Sequence, residues 1–190
     1  MRSTALFVEI KLIIKHKVRS TEPLMGINNH LNTPDHIMAN TFTQCYVHLI
    51  FSPKYREALI KKEWKNNLER YISVCIQNRN HKLLGINAQP DHIHILIGYY
   101  LSDLIPDLVE DIKTSSTHWI KENKLSPFKF EWQLGYGAFT HSKSQIDKVI
   151  QYISNQEDHH KKKSFREEYM EILRKNNIEF DERYLFEFFN

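Results

Sequence analysis

Cysteine is nearly absent from this chain: Cys45 and Cys75 are the only two in 190 residues. Their separation fits no zinc-binding pattern. Two isolated thiols argue against a disulfide framework and for a reducing compartment, the cytoplasm. Long apolar runs are missing as well, and none approaches the roughly 20 residues of a membrane-spanning helix, so no membrane partner is expected. The nearest candidate, Ala5 to Ile14, is interrupted by Glu9 and Lys11 and lacks a small-residue cleavage site, so it does not read as a signal peptide. Internal repeats and low-complexity runs are also lacking. The net charge is only +3, with 11 histidines besides, which permits nucleic-acid binding without demanding it.

What remains is ample for one domain with appendages, because 41% hydrophobic and 12% aromatic content supports a core. Residues 1–37 differ from the rest and read as an N-terminal appendage, disordered or an over-long gene start. The main domain is expected over 38–165 and a helical, aromatic tail over 166–190. Alternation predicts a strand over Gln44 to Phe51, and apolar residues at helical spacing predict a helix over Leu59 to Arg79. A hairpin of two strands follows, His81 to Gln89 and Pro90 to Gly98. Ser102 reads as the cap of a second helix, with Leu104, Ile105, Leu108, Val109, Ile112, Trp119 and Ile120 as its stripe and Pro106 as a blemish near its start. A short strand ends the stretch Phe130 to Thr140. A third helix follows Ser142 or Ser144, with Ile146, Val149, Ile150 and Ile153 toward the core, and Phe165 to Asn176 forms a charged helix. The order β-α-β-β-α-β plus a helix predicts an α+β fold, a ferredoxin-like or RRM-like split βαβ sheet with an added C-terminal helix. One sheet face is then covered by two helices and the other is free.

Along Pro90 to Gly98, Ile93, Ile95 and Ile97 share one strand face and His92, His94 and Leu96 the other. Two imidazoles so placed have Cα atoms roughly 6–7 Å apart and can converge on one ion or one phosphate. Local sequence leaves two readings open, a satisfied core pair or a paired functional site. Tyr152 and Gln156, four apart on the third helix, share a face distinct from its apolar side, and packing alone would also explain a tyrosine there.

The set of blocks resembles a family. Tyr46-Val47-His48-Leu49-Ile50-Phe51 with Pro53-Lys54-Tyr55-Arg56, then Pro90-Asp91-His92-Ile93-His94, then Trp132 to Phe139, then Tyr152-Ile153-Ser154-Asn155-Gln156 resemble, in order, the single-tyrosine HUH transposases of small insertion sequences. The resemblance spans about Thr41 to Phe165. It implies cleavage and rejoining of single-stranded DNA, recognised through a hairpin at the element ends, with a homodimer as the acting unit and no nucleotide cofactor. Carried over, Tyr152 is the nucleophile, and His92, His94 and Gln156 hold a divalent metal, Mg²⁺ or Mn²⁺, as three neutral ligands. Lys54, Arg56, Lys113, Lys148 and the run Lys161 to Lys163 are candidate phosphate contacts, and Tyr55, Tyr136 and Phe139 candidate base-stacking rings. His48 is expected to support the metal-binding rings from behind, with His159 and His160 as spare ligands. The alternative is a non-catalytic, domesticated single-strand-binding module of the same fold.

Overall fold

The computed structural model describes residues 42–190 apart from 56, 58 and 190, so the 1–37 appendage and Arg56 lie outside the described residues. The elements are β1 (Tyr46–Phe51), α1 (Lys62–Asn78), β2 (Lys82–Ala88), β3 (Ile93–Gly98), α2 (Ile105–Glu122), β4 (Gly137–Thr140), α3 (Ile146–Ser154), α4 (Gln156–His159) and α5 (Phe165–Lys175). The class is α+β: a four-stranded sheet of order β2-β3-β1-β4, antiparallel at every pairing, with five helices among the described residues.

Helix α1 forms where the apolar stripe runs, and Trp64, Leu68, Tyr71, Ile72, Cys75 and Ile76 are all buried. It ends at Arg79, and Asn80 turns the chain with a φ of 62°, a left-handed conformation that asparagine tolerates. Helix α2 does not start at Ser102. Leu104 is its N-cap and Pro106 falls in its first turn, where a missing N–H removes no hydrogen bond. Leu104, expected on the buried stripe, is exposed. Asp103 is held back from the helix by Arg79 and by His81 Nε2 at 2.8 Å. Tyr71 of α1 stacks on Trp119 of α2 at 5.1 Å between ring centroids, joining the two helices.

Strand register decides which side chains meet. Ile50 lies opposite His94, and His48 opposite Leu96, so these four share a face with Phe139 and Asn87. Ile93, Ile95 and Ile97 take the other face and are fully buried. The expectation of a free second face is not met. Ile146 and Ile153 of α3 pack on Leu96. Phe165, Tyr169 and Leu173 of α5 pack on Ile50 and Phe139, with Phe180, Leu185, Phe186 and Phe188 of the tail around them. The physical reason is that Ile50, Leu96 and Phe139 are themselves apolar and gain by leaving water. A side-chain clamp closes the tail down: Gln133 Nε2 donates to Glu187 O at 2.8 Å, and Glu187 N donates to Gln133 Oε1 at 2.8 Å.

Gly137 of β4 sits tightly under the rings of Phe139 and Tyr169. A Cβ there would stand 2.8 Å from Phe139 Cε2 and 3.1 Å from Tyr169 Cε2. Gly137→Ala is therefore expected to destabilise the fold by about 1–3 kcal/mol, read as a lower urea midpoint at unchanged slope.

Candidate active site

The turn before β3 and the first residues of β3 deliver His92 and His94 to one face, and both are fully buried. At that depth of burial each ring nitrogen needs a partner. His92 Nδ1 lies 2.7 Å from Asp91 Oδ1. A carboxylate only accepts, so Nδ1 carries the hydrogen and Nε2 keeps a lone pair. His94 Nδ1 lies 2.9 Å from His48 Nε2 on β1. With that bond donated by His94, its Nε2 also turns a lone pair inward, and this buried atom has no hydrogen-bond partner. His48 thus supports His94 from behind, and burial followed by the charge of His94 keeps the His48 ring well below its usual pKa. Burial likewise lowers His94, to about 4, so both rings are neutral at neutral pH.

Tyr152 and Gln156 do not sit on one unbroken helix. Asn155, at φ −95° and ψ 18°, separates α3 from α4. The break is slight, since His159 N still reaches Asn155 O at 3.0 Å. Both side chains meet at one point: the Tyr152 hydroxyl donates to Glu168 Oε1, and Gln156 Nε2 donates to the same oxygen at 2.9 Å. The Tyr152 ring stands edge-on to His94 at 5.8 Å and to His48 at 6.4 Å between centroids. Gln156 is fully buried, and its Oε1 has no hydrogen-bond partner. His92, His94, Tyr152 and Gln156 are therefore brought together by the fold.

Glu168, from α5, was not among the sequence candidates. It is 2% exposed. Its Oε2 lies 3.6 Å from His94 Nε2, 3.7 Å from His92 Nε2 and 3.1 Å from His160 Nε2. Burial alone would raise its pKa. The imidazoles of His160, His94 and His92 gathered around it outweigh that and hold the carboxyl far below its usual range. The opposite holds for Tyr152, where burial, then the Glu168 charge, pushes the phenol well above its usual pKa. The donor set around this point thus contains a carboxylate, not neutral ligands alone. His92, His94, His160 and Glu168 present ligand atoms that all lie within 4.8 Å of one another. A signal for Glu168 existed in the sequence. The pattern Ser164-Phe165-Arg166-Glu167 is a capping box, observed with Ser164 N donating to Glu167 Oε2 at 2.9 Å. It sets the phase of α5 so that Glu168 falls on the stripe of Phe165, Tyr169 and Ile172 at i, i+4 and i+7.

The basic candidates are dispersed. Lys148 is exposed and lines a cleft of about 830 Å³ with Tyr152, Asn155, His159, Lys162 and Lys163. Lys113 Nζ donates to Gln133 O at 2.8 Å and to Gly135 O at 2.6 Å, so it fastens the loop before β4, and burial lowers its pKa to about 8. Lys54 pairs with Glu131 at 3.4 Å on the surface. Phe139 is buried against Tyr169 and His48 and offers no free ring to a base. Tyr55 is half-buried and donates to Glu131 Oε2 at 3.1 Å. Among the described residues no helix is long and apolar enough to cross a membrane.

Comparison with known proteins adds the following. A family model described as "Transposase IS200 like" matches residues 41–156. The ISDra2 transposase TnpA of Deinococcus radiodurans is 24% identical over 120 residues, covering 60% of this chain and 86% of that protein. Among solved structures, a REP-associated tyrosine transposase bound to a REP hairpin aligns with a TM-score of 0.50 at 15% identity, over 61% of this chain and 68% of that one. A protein described as a transposase from Deinococcus radiodurans R1 aligns with a TM-score of 0.49 at 24% identity, over 62% and 94%.

The hydrogen bond from His92 to Asp91 aims the ring, so its loss is expected to show in metal affinity before stability. Asp91→Ala should weaken Mn²⁺ binding about 10–100-fold in calorimetric titration, with the far-UV spectrum unchanged.

Proposed function

The chain belongs to the IS200-like transposase family, and from that footing we propose that it cleaves and rejoins single-stranded DNA with Tyr152 as nucleophile. In this reading His92, His94 and Gln156 hold a divalent metal, Mg²⁺ or Mn²⁺. The observation that carries it is that the phenol of Tyr152 and the amide of Gln156 meet at Glu168 Oε1, while His94 and His92 Nε2 lie 3.6 and 3.7 Å from Oε2 of the same carboxylate. The unpartnered His94 Nε2 and Gln156 Oε1 are the atoms a metal would satisfy, and orienting partners behind the imidazoles are the usual companions of such ligands. Once bound, the ion would act as a Lewis acid toward the scissile phosphate oxygens.

The remaining work falls to the chain itself. Tyr152 Oη attacks the scissile phosphorus, a P–O bond forms, and the bond to the 3′ oxygen breaks. The phenol loses its proton and the departing 3′ oxygen gains one, leaving a 5′-phosphotyrosine and a free 3′-hydroxyl. One ester replaces another, so a 3′-hydroxyl can reverse the step and join strands without a nucleotide cofactor. The cleft beside Tyr152, with Lys148, Lys162 and Lys163 on its wall, supports a path for the DNA backbone, with affinity that falls as salt rises. The hairpin bound in the REP-associated relative supports hairpin DNA as the partner here, and a homodimer is proposed on the family resemblance. The strand order β2-β3-β1-β4, with α1 and α2 between the strand pairs, supports the split βαβ reading of the fold.

One observation favours the second reading, a module that binds DNA without cutting it. The Tyr152 hydroxyl donates to Glu168, and the phenol is held protonated. A covalent-adduct assay decides between the two. With single-stranded oligonucleotides from both flanks of the gene and Mg²⁺ or Mn²⁺, the protein is expected to give a denaturant-resistant protein–DNA band. Tyr152→Phe and chelation should each abolish the band, while Tyr152→Phe keeps DNA affinity within about twofold. Salt-sensitive binding with no band on any strand would establish the binding module.

A further inference from the structure

The carboxylate of Glu168 is the feature that the family chemistry leaves unused. Glu168 and His160 both lie beyond residue 156, where the family match ends. We propose that His160 and Glu168 are ligands of the same divalent ion as His92 and His94, so that the segment after α4 completes the metal site. This rests on the metal-site part of the proposed function and not on DNA cleavage.

Three independent features carry it. The first is spacing. Donors sharing an ion at ~2.1 Å are held about 3.0–3.4 Å apart in octahedral or tetrahedral geometry. Here His160 Nε2 is 3.1 Å from His92 Nε2, and Glu168 Oε2 is 3.1, 3.6 and 3.7 Å from His160, His94 and His92. The second is tautomer. His160 Nδ1 lies 2.8 Å from the carbonyl of Lys163. A carbonyl only accepts, so the hydrogen sits on Nδ1 and Nε2 turns a lone pair to the same point as those of His92 and His94. The third is satisfaction. His94 Nε2 and Glu168 Oε2 are buried with no hydrogen-bond partner, and a buried carboxylate is costly unless a cation answers it. Three imidazoles and a carboxylate suit Mn²⁺, Co²⁺ or Zn²⁺ better than Mg²⁺, which favours oxygen ligands and keeps its waters. The competing account is an ion pair between Glu168 and a protonated His160, with no ion bound by either.

Calorimetric titration of the full chain, stripped with a chelator, separates these accounts, with Mn²⁺ and Mg²⁺ as probes in the absence of DNA. The wild type is expected to prefer Mn²⁺. Glu168→Gln and His160→Ala should each weaken Mn²⁺ at least ~10-fold and erode the preference over Mg²⁺. Glu171→Gln, which removes a charge from the outer side of the same helix, where Glu171 pairs with Lys163 and Lys175, should stay within about twofold. Should Glu168→Gln lack a cooperative thermal transition, Glu168→Asp, which withdraws the carboxylate by one methylene, is expected to show the same loss. Mn²⁺ affinity within twofold of wild type in a folded Glu168 variant overturns the proposal, as does absence of Mn²⁺ binding by the wild type. The adduct assay on the same preparations reads the DNA chemistry separately. Glu168-dependent Mn²⁺ binding without an adduct keeps this site and removes the cleavage reading. An adduct with Glu168-independent Mn²⁺ binding does the reverse.

Discussion

A carboxylate taken out of water has to be answered by hydrogen-bond donors or cations, and Glu168 draws polar side chains to it from three directions. The phenol of Tyr152 and the amide of Gln156 reach one of its oxygens, from the last turn of α3 and the start of α4. The imidazoles of β3 and the turn residue His160 surround the other. Sheet, the α3–α4 segment and α5 are thus referred to one buried point. The apolar contacts of α5 hold the group there. Phe165 stacks on the His92 ring at 4.1 Å between centroids and is nearly parallel to it. Packing therefore orients an imidazole from above while Asp91 fixes its tautomer from the side.

This arrangement makes the polar cluster strict about geometry. In a site this deeply buried, moving any one group orphans its neighbours, and each orphan costs about 1–3 kcal/mol. The separation of α3 from α4 at Asn155 is notable in that light. The chain gives up helical continuity between Tyr152 and Gln156, yet both side chains still arrive at the same oxygen. Local regularity is secondary here to where the side chains point.

Much of this was legible in the sequence. Period-two alternation placed His92 and His94 on one face, because strand geometry leaves no other option. The i, i+4 spacing brought Tyr152 and Gln156 together, and the stripe of α1 is buried residue for residue. Three things were not legible. The second sheet face reads as free only if the tail is treated as an appendage, and nothing local says that Phe165, Tyr169 and Leu173 will fold back on Ile50 and Phe139. Glu168 was hidden for a related reason. In Arg166-Glu167-Glu168 one carboxylate caps the helix and the next is buried, and composition cannot separate them. Only the phase set by Ser164 does. The start of α2 was misread because Ser102 has the chemistry of a cap, whereas Asp103 was already committed to Arg79 and His81.

The way α5 lies across the sheet bears on how the protein can be cut for study. The boundary that a family comparison suggests, after Gln156, would leave Ile50 and Phe139 facing water, along with a bare imidazole face and a Tyr152 lacking its buried neighbour Glu168. Such a fragment would hold every residue of the family's sequence pattern and still present a sticky apolar sheet, a surface on which chains associate with one another. For this protein the unit of inheritance and the unit of solubility end at different residues.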